Sequence, residues 1–160
     1  MTTDQTIDVA IIGGGPAGYA AAIYAARANL TTTVLEQGMS GGQIATSNEI
    51  ENYPGIPLLS GVELGERFQQ HAEGLGAQVE WSMVTGVDYD ADAAQFTIHH
   101  DMGDTAAKSV IACMGATPRP AGFVGEDTYR GRGVSYCATC DGMFFRGKQV
   151  FVIGGGNSAC

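Results

Sequence analysis

Asp8-Val-Ala-Ile-Ile-Gly13-Gly-Gly15-Pro16-Ala17-Gly18-Tyr-Ala-Ala-Ala-Ile-Tyr-Ala-Ala26 is the stretch that decides the fold. Its apolar opening, Asp8 to Gly13, suits a buried parallel strand. Pro16 suits the first turn of a helix, where a missing N–H costs nothing. Ala20, Ala21, Ala22, Ala25 and Ala26 then favour that helix, and their small side chains let it lie close to a sheet. Thr32-Thr-Val-Leu35 reads as a second strand ending at Glu36, which completes a βαβ unit. Gly13-x-Gly15-x-x-Gly18 falls between strand and helix. Such glycines serve in turn a tight turn, close approach of backbone to a pyrophosphate, and packing of helix on strand. The helix N-terminus offers N–H groups to phosphates, and Glu36, eighteen residues after Gly18, is placed to accept hydrogen bonds from a ribose. The register of strand, turn, helix and acid points to dinucleotide binding; the alternative is a turn that is merely tight.

Outward from this unit, composition narrows the classes. Glycine supplies 24 of 160 residues, much of it in compact clusters, which fits turns and ligand approach rather than low complexity. Seventeen acidic residues against eight basic ones give a net charge of −9, which disfavours a nucleic-acid partner. Val9 to Ala26 carries no charge, yet Gly13-Gly-Gly15-Pro16 interrupts it and Asp4 and Asp8 precede it. Neither a membrane span nor a signal peptide fits, and the expected location is cytoplasmic. Four cysteines are present, Cys113, Cys137, Cys140 and Cys160. His71, His99 and His100 do not stand at zinc spacing from them, so no metal site is expected. An isolated Cys137-x-x-Cys140 in a reducing compartment points to redox chemistry.

Ser60 and Glu63 form a capping box that opens a helix to about Leu75. Leu64, Phe68, Ala72 and Leu75 are expected on its buried face, with His71 partly buried beside them. Ala77 to Trp81 reads as a strand. Val84 to Asp90, Gln95 to His100 and Thr105 to Cys113 read as an antiparallel meander whose last strand returns to the main sheet. His99 and His100 then face opposite ways. Cys113 is expected to be an inert core thiol. Thr117-Pro-Arg-Pro-Ala-Gly122 marks a domain boundary, giving an expected division into 1–117 and 118–160. Val150-Phe-Val-Ile153 reads as a further strand, running into Gly154-Gly-Gly156-Asn-Ser-Ala159. The fold class is therefore α/β: a three-layer Rossmann-like dinucleotide-binding fold with a parallel sheet and an antiparallel meander, then the start of a second Rossmann-like domain.

Gly142-Met-Phe-Phe-Arg-Gly147-Lys148 imitates a P-loop, but Gln149 stands where a metal-binding Ser or Thr is needed, and the strand follows the glycines. Gly154-x-Gly156-x-x-Ala159, by contrast, repeats the dinucleotide pattern after a strand. Two such turns with a Cys-x-x-Cys between them suggest a relay from nicotinamide through flavin to a disulfide. From about Asp8 to Ala159 the chain resembles the N-terminal half of the low-molecular-weight, bacterial-type thioredoxin reductases. The most specific part is Gly131-Arg-Gly-Val-Ser-Tyr-Cys137-Ala-Thr-Cys140-Asp141-Gly142. Gly41-Gly42-Gln43 and Glu51-Asn52-Tyr-Pro-Gly55 match further flavin-domain motifs, and Ala138-Thr139 differs from the Pro-His of related peroxiredoxin reductases.

The resemblance implies FAD along Gly13 to Gly18, Pro16 and Ala17 included, with Glu36, Gln37, Gly41, Gly42, Gln43, Asn52, Val84 and Gly115 lining its site. NADPH would use Gly154, Gly156 and Ala159. It further implies Cys140 against the flavin, Cys137 exchanging with thioredoxin, and Asp141 handling the proton; the alternative for Asp141 is an exposed helix-capping carboxylate. Members of the family are homodimers. Two departures stand out. Cys113-Met114-Gly115 replaces the family's Ala-Thr-Gly, so Met114 supplies no hydroxyl. The family's discontinuous FAD domain also has a returning segment, and its second turn a helix and basic residues for a 2′-phosphate, none of which follows Ala159 in this sequence. The expected function is thus the N-terminal part of an FAD-dependent thioredoxin-disulfide reductase, inactive by itself. The alternatives are a dinucleotide-binding module without turnover and a related flavoprotein acting on another disulfide.

Overall fold

Alternate residues of a strand face opposite sides of a sheet, and in β1 (Ile7–Ile12) both sets are apolar from Val9 onward. Val9 and Ile11 pack toward helices, Ala10 toward a second layer of strands. The same split holds in β2 (Thr32–Glu36), where Val34 joins the helix side and Leu35 the other. A sheet covered on both faces makes three layers. The computed structural model describes residues 6–157 and 159; Asp4, Ser158 and Cys160 lie outside the described residues.

Two compact units divide the chain at Gly115 and Ala116. In the first, α1 (Pro16–Arg27) begins with Pro16 in its first turn and is followed by β2, which pairs in parallel with β1. A 3-10 turn (Gly42–Thr46) precedes α2 (Gly61–Gly74). Both arms of the α2 capping box form: Ser60 Oγ accepts from the Glu63 N–H at 3.2 Å, and Glu63 Oε2 accepts from the Ser60 N–H at 3.0 Å. β3 (Gln78–Trp81) joins β2 in parallel, and β4 (Val84–Asp90), β5 (Gln95–His100) and β6 (Gly103–Ala112) form the meander. The strand order is β3-β2-β1-β6-β5-β4. β6 serves both layers, pairing antiparallel with β5 over its first half and parallel with β1 over its second.

The helix-side core gathers Val9, Ile11, Tyr19, Ala22, Ala26, Val34, Ala72 and Ala77, and the meander-side core Ala10, Leu35, Ile98 and Ala107. Burial of a side chain such as Ile11 or Leu35 contributes about 1.5–3 kcal/mol. His99 and His100 do face opposite ways. His99 sits between Asp88 and Asp104 at 3.0 and 2.8 Å, and the buried His100 ring contacts Thr105 and Glu80.

Four expectations need correction. Leu75 is exposed, because it is the residue at which α2 stops and leaves the face shared by Leu64 and Ala72. His71 is exposed too, one position off that stripe on the solvent side. Cys113 follows β6 rather than lying in it and is half-buried, with burial pushing its thiol above the ordinary range. Val150 to Ile153 forms no strand, because no described segment of the second unit pairs with it, and its residues are 59–84% exposed.

Candidate dinucleotide and disulfide sites

At the C-terminal ends of β1 and β2 the glycine turn is held by backbone and carboxylate together. The Gly13 N–H donates to the Leu35 carbonyl at 2.8 Å, and the Gly14 N–H to Glu36 Oε2 at 2.5 Å. Glu36 is 8% exposed, and its other oxygen accepts from the Gly38 N–H at 2.8 Å. The Gly41 N–H returns to the Gly14 carbonyl at 2.8 Å. Gly13, Gly15, Pro16, Ala17, Gly18, Glu36, Gly41 and Gly42 are thereby gathered at one end of the sheet. Gln37 and Gln43 are exposed on the adjoining loop.

The three motif glycines lack a Cβ for different reasons. At Gly13, with φ +104°, a Cβ would stand 2.4 Å from the Cys113 carbonyl oxygen. At Gly18 it would stand 1.9 Å from the Gly13 carbonyl oxygen. At Gly15 the nearest atom is 4.0 Å away, so no protein contact there requires glycine. Gly15 is also the N-cap of α1 and gives it no side-chain cap. Open space at an uncapped helix N-terminus fits the pyrophosphate of a dinucleotide such as FAD.

The Gly38–Gly42 loop is fixed from beneath by a polar chain that the sequence reading did not include. The Tyr19 hydroxyl meets Ser40 Oγ at 2.7 Å, Ser40 Oγ donates to Gln69 Oε1 at 2.5 Å, and Gln69 Nε2 donates to Glu73 at 3.0 Å. Tyr19 is fully buried, and that burial raises its phenol above the usual value; the Ser40 bond opposes the rise. A tyrosine directly after the glycine motif was the available signal. The α2 glycines were missed as well. A Cβ at Gly61 would lie 1.8 Å from the Ile44 carbonyl oxygen, and one at Gly65 2.3 Å from that of Ser40. A shallow groove lined by Gly38, Met39, Ser40, Glu66, Gln69 and Trp81 runs beside the loop rather than over the glycine turn.

The remaining expected flavin contacts are placed less closely. Asn52 is exposed on a loop closed by the Ile50–Leu59 bridge. Val84 opens β4 and packs on the meander-side core, and Gly115 adopts φ +68° just beyond Cys113.

In the second unit Cys137 and Cys140 form a disulfide. Cys137 caps α4 (Ala138–Asp141), and the Cys140 N–H donates to Cys137 Sγ at 3.2 Å. Asp141 closes that turn through its N–H, which donates to the Cys137 carbonyl at 3.0 Å. A 3-10 turn, Gly142–Phe145, follows, so the P-loop imitation forms no phosphate cradle. Upstream, Glu126 in α3 (Glu126–Tyr129) accepts from the Ala121 and Gly122 N–H groups at 2.8 and 2.6 Å and from the Tyr136 hydroxyl. The Tyr136 bond first, then these backbone bonds, hold its carboxyl below the usual range. Gly154 and Gly156 are exposed, and the Ala159 N–H donates to the Gly156 carbonyl at 2.8 Å within a turn. Among the described residues no group of three potential ligands is placed to hold a metal, and no helix is long and apolar enough to cross a membrane.

A glycine turn shaped for a dinucleotide and a Cys-x-x-Cys disulfide on one chain define a class. Residues 7–160 match the family model described as pyridine nucleotide-disulphide oxidoreductase, and the chain belongs to that family. It is 42% identical over 160 residues to a thioredoxin reductase of Bacillus subtilis (strain 168), covering 99% of this chain and 50% of that relative. It is 48% identical over 161 residues to a thioredoxin reductase of Treponema pallidum (strain Nichols), with coverage of 100% and 51%. Among solved structures, the thioredoxin reductase of Streptococcus pyogenes MGAS5005 matches with a TM-score of 0.78 at 40% identity, covering 89% of this chain and 46% of that one. The chain therefore spans about half the length of the curated relatives it matches.

Proposed function

We propose that this chain is the flavin- and disulfide-bearing part of a thioredoxin-disulfide reductase, working from NADPH through FAD to Cys137–Cys140 and on to thioredoxin. The observation that carries the reading is the closed Cys137–Cys140 disulfide within Tyr136-Cys-Ala-Thr-Cys-Asp141, on a chain whose glycine turn leaves Gly15 open. Relatives 42% and 48% identical that bear the thioredoxin reductase name support it. Residues 1–117 would form the FAD-binding part and 118–160 the start of the NADPH domain. FAD would be held by Gly13, Gly15, Pro16, Ala17, Gly18, Glu36, Gln37, Gly41 to Gln43, Asn52, Val84 and Gly115. NADPH would be held by Gly154, Gly156 and Ala159. Homodimerisation and a cytoplasmic location belong to the same reading.

FAD, when bound, would supply the carrier that takes a hydride from nicotinamide and gives an electron pair to the disulfide. The rest is thiol chemistry on this chain. In the reduced pair, the Cys137 thiolate attacks one sulfur of the substrate disulfide; a mixed disulfide forms and the other substrate sulfur leaves as a thiolate that takes up a proton. Cys140 then attacks the Cys137 sulfur, recloses the pair and releases the second substrate thiol. Two electrons and two protons pass to the substrate. The Cys140 N–H, 3.2 Å from Cys137 Sγ, is a donor suited to stabilising a thiolate on that sulfur. Asp141, one residue beyond, would carry the proton.

A second reading, a dinucleotide-binding module without turnover, is favoured by the exposed, unpaired Val150 to Ile153 run. The discriminating experiment grafts this chain in place of the matching half of the Bacillus subtilis relative. NADPH-dependent reduction of thioredoxin by the chimera, lost on Cys137→Ser or Cys140→Ser, is the expected result. A chimera that folds and holds FAD yet reduces no thioredoxin would favour the second reading.

A further inference from the structure

We propose that Glu126, Tyr136 and Arg130 form an anchor that positions Cys137 and favours closure of the Cys137–Cys140 disulfide, an inference that rests on the reductase reading of that pair. Glu126 is 4% exposed, and its carboxylate gathers three donors: the Ala121 N–H, the Gly122 N–H and the Tyr136 hydroxyl. The Tyr136 hydroxyl also accepts from Arg130 at 3.2 Å, and the guanidinium lies 4.8 Å from the centre of the Tyr136 ring. Tyr136 is thus gripped at its oxygen and over its face, one residue before Cys137.

The backbone between is tied down as well. The Val134 N–H donates to the Tyr129 carbonyl at 2.9 Å, and Gly131 donates to Val134 at 3.0 Å. Ser135 Oγ accepts from the Cys137 N–H at 3.0 Å and donates to the Cys137 carbonyl at 3.2 Å. Downstream, Cys140 belongs only to the single turn Ala138–Asp141. The pair is therefore asymmetric, with Cys137 on a hydrogen-bonded frame and Cys140 on a short turn. A frame that presents Cys137 in its extended N-cap conformation lowers the conformational entropy lost on closure. By reciprocity the disulfide must also tighten the frame.

The test uses the whole chain, without flavin, nicotinamide or thioredoxin, in buffers of reduced and oxidised glutathione. Oxidised glutathione takes two electrons and two thiol protons from the Cys137/Cys140 dithiol, leaving the protein disulfide and two reduced glutathiones. Quenched peptide mapping gives the equilibrium constant. Tyr136→Phe and Glu126→Gln should each lower the constant for closure about threefold to tenfold, the scale of part of one charge-assisted hydrogen bond, and the double variant should be no worse than either. Hydrogen exchange at the Ala121 and Gly122 amides should quicken on reduction in the wild type and be insensitive to redox state in Tyr136→Phe. If Glu126→Gln disorders the second unit, the nearly isosteric Tyr136→Phe decides. Closure in the wild type with Tyr136→Phe within twofold of it would overturn the anchor and leave the reductase reading standing. A wild-type pair that never closes would overturn both.

Discussion

At Gly18 an added Cβ would overlap the Gly13 carbonyl oxygen, while at Gly15 it would meet open space. Gly18→Ala should therefore cost about 1–3 kcal/mol of stability through overpacking. Gly13→Ala should cost a similar amount, since its φ of +104° disfavours any side chain and Cys113 closes the space. Gly15→Ala should change stability by no more than about 0.5 kcal/mol, and its effect should fall on FAD affinity in the chimera. Urea denaturation beside flavin titration separates the cases; a Gly15→Ala as unstable as Gly18→Ala would remove the ligand argument. Asp8 offers a second residue-scale test. Lys108, at 2.7 Å, and then Thr31 lower its carboxyl from 3.8 to about 2. A lowered folded-state value means the stabilisation is present above the unfolded value and lost as pH falls through the folded one. The gap in urea midpoint between wild type and Asp8→Asn should be constant above about pH 5 and shrink toward pH 2. A gap independent of pH would show that the bonds seen by Asp8 are not retained in solution.

Helix α2 shows how an element can be legible at one end and opaque along its face. Its start was readable because the capping box is a local pattern of Ser60 and Glu63, and β1, α1 and β2 were readable for the same reason. By propensity alone Gly61 and Gly65 are poor helix formers. Their use is tertiary: bare positions four apart share a face, and that face admits the Ser40 and Ile44 carbonyls of the loop that returns to the glycine turn. Gly61→Ala should then destabilise the chain by more than Ser60→Ala, for which about 1 kcal/mol is expected, even though alanine is the better helix former. Thermal melts of the two variants check this, and a Gly61→Ala more stable than wild type would mean the loop does not approach as described. The Tyr19–Ser40–Gln69 chain escaped the sequence for the same reason, because its partners are distant in sequence; the Glu126–Tyr136 anchor is local, within 121–136, but its spacings follow no helical or strand period. Val150 to Ile153 failed in the other direction. Its apolar pattern is strand-like, but a strand is defined by a neighbour, and no described residue of its unit supplies one.

Across the molecule the net charge of −9 conceals an uneven division. Fourteen acidic and three basic residues fall in the unit that ends at Gly115, against three acidic and five basic in the unit that holds Cys137 and Cys140. All five of those basic residues, Arg119, Arg130, Arg132, Arg146 and Lys148, are exposed. Charges act over about 10 Å at 0.1 M salt, so a small substrate meeting Cys137 senses its own neighbourhood more than the total charge. Two readings make opposite forecasts. A local basic field attracts an anionic disulfide and repels a cationic one; a field set by the whole chain does the reverse. The experiment takes the reduced chain, with Cys113 and Cys160 replaced by Ser, and follows exchange with oxidised glutathione, which is anionic, and with cystamine, which is cationic. The local reading predicts that rising salt slows the first reaction and quickens the second, each by severalfold. Reversal of both slopes would show that the acidic unit dominates the field at the thiols. Equal and flat slopes would show that the five cations are too screened or too distant to steer, and recognition of the proposed substrate would then have to rest on contacts rather than on charge.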